Sequence, residues 1–185
     1  MVILIGGESH TGKTLMAQAL LEQYHYPYTS LDHIKMGLVR SGGACGFTAE
    51  DGDERIADKL WGIVRGIIDT CLENRQHIIL EGCYLPPEKV VPLLGCGEVA
   101  AVYLIFSRGY IEKHFDNILS FENAIERRKY PETRTKKTFI EANARLKERC
   151  VAAGAPFFEI QSDYESELQE VYAFIGRQLQ EKRSG

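Results

Sequence analysis

Apolar positions along the chain follow two periods, and the alternation between them predicts five strands separated by helices. Val2 to Ile5 is an unbroken apolar run, and His77 to Leu80 and Val99 to Phe106 are nearly so. Continuous apolar runs of strand length belong to central strands buried on both faces. Tyr26 to Leu31, with Pro27 inside it, and Pro156 to Ile160 predict two further strands. Proline cannot donate to a ladder, so both are expected at sheet edges.

The helical period fills the intervals. Met16, Leu20 and Tyr24 share one face of a helix over 13–24, and a short helix is expected over 32–40. Residues 41–52, with Gly42, Gly43, Gly46 and Gly52, read as a mobile loop. From Glu54 to Asn74 the stripe Ile56, Leu60, Ile63, Val64, Ile67, Ile68, Cys71, Leu72 predicts a long helix packed on the sheet. Tyr84 to Pro87 is a stiff exit from the third strand, with one helical turn before Gly95. Further helices are expected over 110–128 and 137–152. The closing helix is started by a capping box at Ser162–Glu165 and buries Leu168, Val171, Tyr172, Ile175 and Leu179. Strands alternating with helices imply an α/β fold: a parallel sheet covered on both faces, hence three layers.

Composition narrows the class. The 185 residues, 44% hydrophobic and 26% charged, suit a single domain over 1–185 with one good core. A net charge of −4 without a dominant polybasic block argues against nucleic acid as the main partner. The five cysteines form no C-x-x-C pair and read as reduced thiols. The first apolar run flows directly into a glycine-rich turn, and no stretch approaches a membrane span. A cytoplasmic protein, monomeric or homodimeric and without membrane contact, is expected.

That glycine-rich turn carries the most specific signal. Gly7-Glu8-Ser9-His10-Thr11-Gly12-Lys13-Thr14 reads G-x-x-x-x-G-K-T, with a predicted strand before it and a helix after it. Backbone N–H groups of such a loop, through Leu15, converge on a phosphate, assisted by the positive end of the helix dipole. Lys13 is expected to reach the β- and γ-phosphates, and the Thr14 hydroxyl to ligate Mg²⁺. Ligands of parallel sheets bind beyond the carboxyl ends of the strands. Glu81, closing the run Ile79-Leu80-Glu81, stands where a carboxylate holds Mg²⁺ beside Thr14. Asp32 has three readings: a base toward an acceptor hydroxyl, a metal or substrate ligand, or the N-cap of the helix it opens. The basic stretch Arg127 to Lys137, broken by Pro131, offers Arg127 and Arg128 as cations for a transferring phosphoryl group. An arginine in that role is worth about 10³–10⁵ in rate.

On these residues the sequence resembles the small P-loop kinases of metabolites and nucleotides. Within them it looks most like the branch holding 2-phosphoglycerate kinases and zeta-toxin-like kinases. The likeness is carried by Gly7–Thr14, by Thr29-Ser30-Leu31-Asp32-His33-Ile34-Lys35 with Arg40, and by Ile79–Pro86. It implies a P-loop NTPase sandwich with sheet order 2-3-1-4-5, a helical lid after the fourth strand at about 110–137, and Mg²⁺-ATP as donor. Asp32 then faces a small-molecule acceptor, and Lys35, Arg40 and Glu81 lie on the acceptor side. Lys35 stands where 2-phosphoglycerate kinases tend to carry arginine, so a bidentate clamp on an anion is weakened there. The expected function is an ATP-dependent phosphotransferase acting on a metabolite or nucleotide. A nucleotide-dependent switch or slow ATPase is the alternative, as is a zeta-toxin-like kinase of nucleotide sugars. No N-K-x-D guanine-reading motif and no ABC-type signature is present.

Overall fold

The computed structural model of the chain describes residues 1–120 and 134–183. Strands β1 (Val2–Gly7), β2 (Tyr28–Ser30), β3 (Ile78–Gly82), β4 (Val99–Phe106) and β5 (Phe157–Ile160) form one sheet in the order β2-β3-β1-β4-β5. All pairings are parallel, so every connection crosses over the sheet. The crossings are made by α1 (Lys13–Tyr24), α2 (Leu31–Arg40), α3 (Asp53–Glu73), α4 (Pro87–Val90), α5 (Arg108–Ser120) and α6 (Lys136–Ala153), and α7 (Tyr164–Arg183) follows the last strand. A 3₁₀ segment, Val91–Cys96, continues α4. No helix among the described residues is long and apolar enough to cross a membrane.

The strand period of two splits the core between the faces. Val2, Leu4, Leu80, Val99, Ala101, Tyr103 and Ile105 meet Ile56, Leu60, Val64 and Ile68 of α3 on one side. Ile3, Ile5, Ile79, Val102 and Leu104 meet Met16 and Leu20 of α1 and Leu168, Val171, Ile175 and Leu179 of α7 on the other. A third cluster, Phe106, Tyr110, Ile111, Ile118, Phe139 and Ile160, lies where α5 and α6 close over the ends of β4 and β5. Each fully buried Leu or Ile contributes about 1.5–3 kcal/mol, so the two faces hold the helices in place irrespective of local propensity.

Several boundaries differ from the sequence reading. Pro27 precedes β2 rather than lying inside it, and its carbonyl accepts from Ile79 N at 2.8 Å. It thus guides the chain onto the edge of β3 as an acceptor, the one ladder role proline can fill. Leu31 opens α2 instead of ending β2, and Ser30 is the N-cap. Asp32 is therefore the second helical residue, and the N-cap reading for it is overturned. Ile63 does not share the buried stripe of α3: it is 40% exposed. One residue short of Val64, it is rotated about 100° off that face. The loop before α3 is pinned by Phe47, which is buried against Ile56 and Leu60 in the α3-side core. The helix expected over 110–128 runs Arg108–Ser120 with non-helical angles at His114, and its expected continuation lies outside the described residues.

The start of α7 is capped one residue later than the predicted box. Asp163 Oδ1 accepts from Ser166 N at 3.4 Å. Glu167 accepts from the amides of Gln161, Ser162 and Asp163 at 2.8, 2.7 and 3.0 Å. A carboxylate one helical position further on can gather three consecutive N–H groups, which Glu165 does not do.

Candidate active site

At the level of Ser30, Glu81 and Ile5 the three strands β2, β3 and β1 are in register, and immediately beyond them the chain breaks away from the sheet. The loop leaving β1 folds around one carbonyl. Glu8 O accepts from Thr11 N at 3.4 Å, Thr11 Oγ1 at 2.8 Å and Lys13 Nζ at 2.6 Å. His10 takes a left-handed φ of 65° and Gly12 one of 87°. Gly7, at φ 149°, would place a Cβ 2.6 Å from Leu104 O, so only glycine fits. Helix α1 then begins at Lys13 with no side-chain cap on its amides. Its first N–H groups point out of the helix at the positive end of the dipole, the arrangement that binds an anion.

Lys13 is buried, 7% exposed. Burial works against its charge, and the acidic surroundings outweigh it, so its pKa lies above the ordinary 10.5. Cys83 leads the opposing groups, followed by Glu81, Asp32 and Glu8. The Cys83 thiol, however, is itself pushed up by burial to about 12 and is neutral at pH 7. The three carboxylates therefore hold the ammonium charged. One cation thus feels acidic groups from the tips of β1, β2 and β3 at once.

Glu81 is 2% exposed and accepts from Thr14 Oγ1 at 3.1 Å. These two hard oxygen donors fit Mg²⁺, which is held by one or two protein oxygens with the rest of its shell supplied by water and substrate phosphate. No group of three or more His, Cys, Asp or Glu suited to a metal exists among the described residues.

On the other wall of the cleft, Asp32 Oδ1 accepts from Tyr84 Oη at 3.3 Å, and Lys35 Nζ donates to the same hydroxyl at 2.9 Å. The Lys35 ammonium also lies 5.3 Å from the Tyr84 ring centroid. Tyr84 is buried, and burial first, then the neighbouring Asp32 carboxylate, keeps its hydroxyl protonated far above the usual range. From Asp32 to Arg40 the helix rises about 12 Å, which puts Arg40, exposed in the last turn of α2, at the far end of that wall. Arg127 and Arg128 lie outside the described residues.

Three contributors carry little or no sequence signal. Asp53, the first residue of α3, reads as an ordinary acidic first turn, yet it lies in the field of Arg134, Lys35, Asp32 and Lys13. Burial raises its carboxyl, the nearby cations oppose the rise, and Asp32 adds to it. Arg134, stacked 4.9 Å from the Phe139 ring centroid, acts on both Asp53 and Glu8. Gly6 precedes the phosphate-loop pattern, but a Cβ there would run into the buried Tyr103 ring, whose hydroxyl donates to Leu85 O at 3.0 Å.

This sheet order, with a glycine-rich loop between β1 and α1, is the fold of the small P-loop kinases. Solved structures with the same fold include a gluconokinase from Sinorhizobium meliloti 1021, at TM-score 0.56 and 15% identity, over 95% of this chain and 91% of that one. A shikimate kinase from Bacteroides thetaiotaomicron matches at TM-score 0.51 and 13% identity, over 95% and 98% of the two chains. A deoxyadenosine kinase from M. mycoides matches at TM-score 0.50 and 12% identity, over 96% and 100%. No protein-family model matches the chain, and no curated protein does. The fold is shared, and the substrates in the names of these neighbours differ from one another.

Proposed function

We propose that the chain is an ATP-dependent phosphotransferase that moves the γ-phosphoryl group to a hydroxyl of a small-molecule acceptor. The observation that carries this reading is that buried Lys13 lies in the field of two carboxylates held by different partners, Glu81 by Thr14 and Asp32 by Tyr84. A hydrolytic switch has no use for a second carboxylate across the cleft from the phosphate lysine.

The chain's own groups divide the work. The amides of Gly7 to Leu15 bind the polyphosphate, and Lys13 neutralises charge on its terminal groups. Thr14 and Glu81 would hold Mg²⁺, which would supply neutralisation of negative charge on the polyphosphate. The Asp32 carboxylate accepts the acceptor's hydroxyl proton as the new O–P bond forms and the bond to the β-phosphate oxygen breaks, leaving ADP. Tyr84 fixes the Asp32 carboxylate by donating to Oδ1, and Lys35 holds the Tyr84 hydroxyl in place, which leaves Oδ2 for the acceptor. Arg134 supplies a cation near the loop, and Arg127 and Arg128 remain candidates for charge on the transferring group. Lys35 and Arg40 contact the acceptor in this reading, with Asp53 beside them.

The test is ADP release from Mg²⁺-ATP measured with and without a panel of hydroxyl acceptors: 2-phosphoglycerate, gluconate, shikimate, deoxyadenosine, simple polyols and nucleotide sugars. Stimulation of at least tenfold by one member supports transfer. Identical ADP release across a broad panel overturns it in favour of slow hydrolysis.

A further inference from the structure

Tyr164, the first residue of α7, lies 153 positions from the phosphate loop in sequence, and its hydroxyl donates to Thr11 O at 3.3 Å. We infer that Tyr164 is a positioning residue for the phosphate-binding loop, orienting the Thr11–Gly12 peptide so that the Gly12 N–H faces the phosphate. The inference rests on the nucleotide-binding part of the function proposed above.

The peptide plane supplies the geometry. In a planar trans peptide the C=O and the following N–H point in opposite directions. A hydroxyl that draws Thr11 O toward α7 therefore turns the Gly12 N–H the other way, into the loop's interior. The Gly12 backbone is left-handed, at φ 87° and ψ 18°, where an isolated peptide has little reason to prefer one orientation of its neighbours. A Cβ at Gly12 would collide with Tyr164 Oη, so hydroxyl and glycine occupy the space of one side chain. Such contact is too close for a tyrosine that merely happens to face the loop.

The donor itself is held from several sides. Its ring meets Phe106 edge-on at 6.2 Å between centroids. The turn before it, Gln161 to Asp163, is tied by three amides and the Ser162 hydroxyl to Glu167, one turn into the same helix. Leu168 and Val171 then anchor α7 in the core. Burial, with Tyr172 and Tyr110 adding to it, keeps the Tyr164 hydroxyl protonated well above its ordinary range, so it remains a donor throughout neutral pH.

The test is calorimetric titration of Mg²⁺-ADP and Mg²⁺-ATP into the full chain and into Tyr164→Phe, which keeps the ring and removes the donor. Loss of one neutral hydrogen bond predicts about a fivefold to tenfold rise in Kd for both nucleotides. Replacing Tyr164 with 4-aminophenylalanine, which restores an N–H donor at the same place, should recover affinity. A residue that only packs would show no such rescue. In ¹H–¹⁵N spectra of the wild type, the Gly12 amide should move strongly on adding Mg²⁺-ADP; an unmoved resonance overturns the inference even if a variant fails to fold. Equal affinities for wild type and Tyr164→Phe also overturn it and leave the proposed function standing. Absence of any nucleotide heat from the wild type removes both.

Discussion

Thr14 Oγ1 donates to Glu81 Oε1 across 3.1 Å, although the two residues are 67 positions apart and belong to α1 and β3. The contact closes the cleft floor beneath the phosphate loop and presents two hard oxygens side by side. Glu81→Ala should weaken Mg²⁺-dependent nucleotide binding about 10–100-fold, the range typical for groups that orient a metal site. Binding of metal-free ADP should fall much less. Titrations of ADP with and without Mg²⁺ separate the two effects.

Lys13→Ala should reduce turnover by at least the factor of about 10² expected when one charge-stabilising donor is removed. The pH dependence follows from its surroundings. Its pKa is raised above 10.5 in the folded chain, so its stabilising charge is fully present below the unfolded value. It is lost only as pH rises through the higher folded value. Loss of activity between about pH 7 and 10 therefore belongs to other groups, and a pH–rate profile of Lys13→Arg should keep the same alkaline limb.

Asp32→Asn should spare ATP binding and suppress transfer, because the amide cannot accept the acceptor's proton. Tyr84→Phe should give a milder version of the same defect. It removes the donor on Oδ1, and a lost hydrogen bond of about 1 kcal/mol corresponds to roughly fivefold in kcat. Acceptor-dependent kinetics from about pH 5 to 9 provide the check.

Glu167 caps α7 by collecting three amides and a hydroxyl. Burial alone would raise its carboxyl, and the hydrogen bonds outweigh that and hold it below the ordinary 4.5. A depressed pKa stabilises the fold above 4.5, and the benefit is lost as pH falls through the lower folded value. Glu167→Ala should cost about 1 kcal/mol near neutral pH, a typical capping loss. The difference in Tm from wild type should shrink as pH falls below 4.5 and through the lower folded value of the wild-type carboxyl.

Much of this architecture is legible in the sequence, for reasons that differ from element to element. α3 is found because Ile56, Leu60, Val64 and Ile68 recur every fourth residue on one buried face. β1 and β4 are found because they are apolar on both faces, the mark of a strand between two helical layers. The sheet order came from the family resemblance, since periodicity says nothing about which strand lies beside which. The cap of α7 falls one residue past the Ser162–Glu165 pattern because Glu167, two residues after Glu165, collects the amides of Gln161, Ser162 and Asp163. Gly7 to Thr14 and Glu81 were readable because their spacing or strand-end position carries the chemistry. Tyr84 and Tyr164 are not, because each acts through a hydrogen bond to a residue far along the chain, and Asp53 is not, because it is tied to the site only by the field of charges on other elements; no local rule predicts them.

β2 pairs with β3 over only Tyr28, Thr29 and Ser30, and Leu31 is the one fully buried residue of α2 behind it. The wall bearing Asp32 and Lys35 is thus hinged on a short seam at the sheet's margin, whereas the wall bearing Lys13 is rooted in its middle. The two sides of the cleft differ in stiffness. Local opening of α2 costs far less than unfolding of β1, so amide exchange should be fastest along α2 and slow most there when an acceptor enters. On the proposed reading, the Asp32 wall is the side that yields to an acceptor while the Lys13 wall stays fixed.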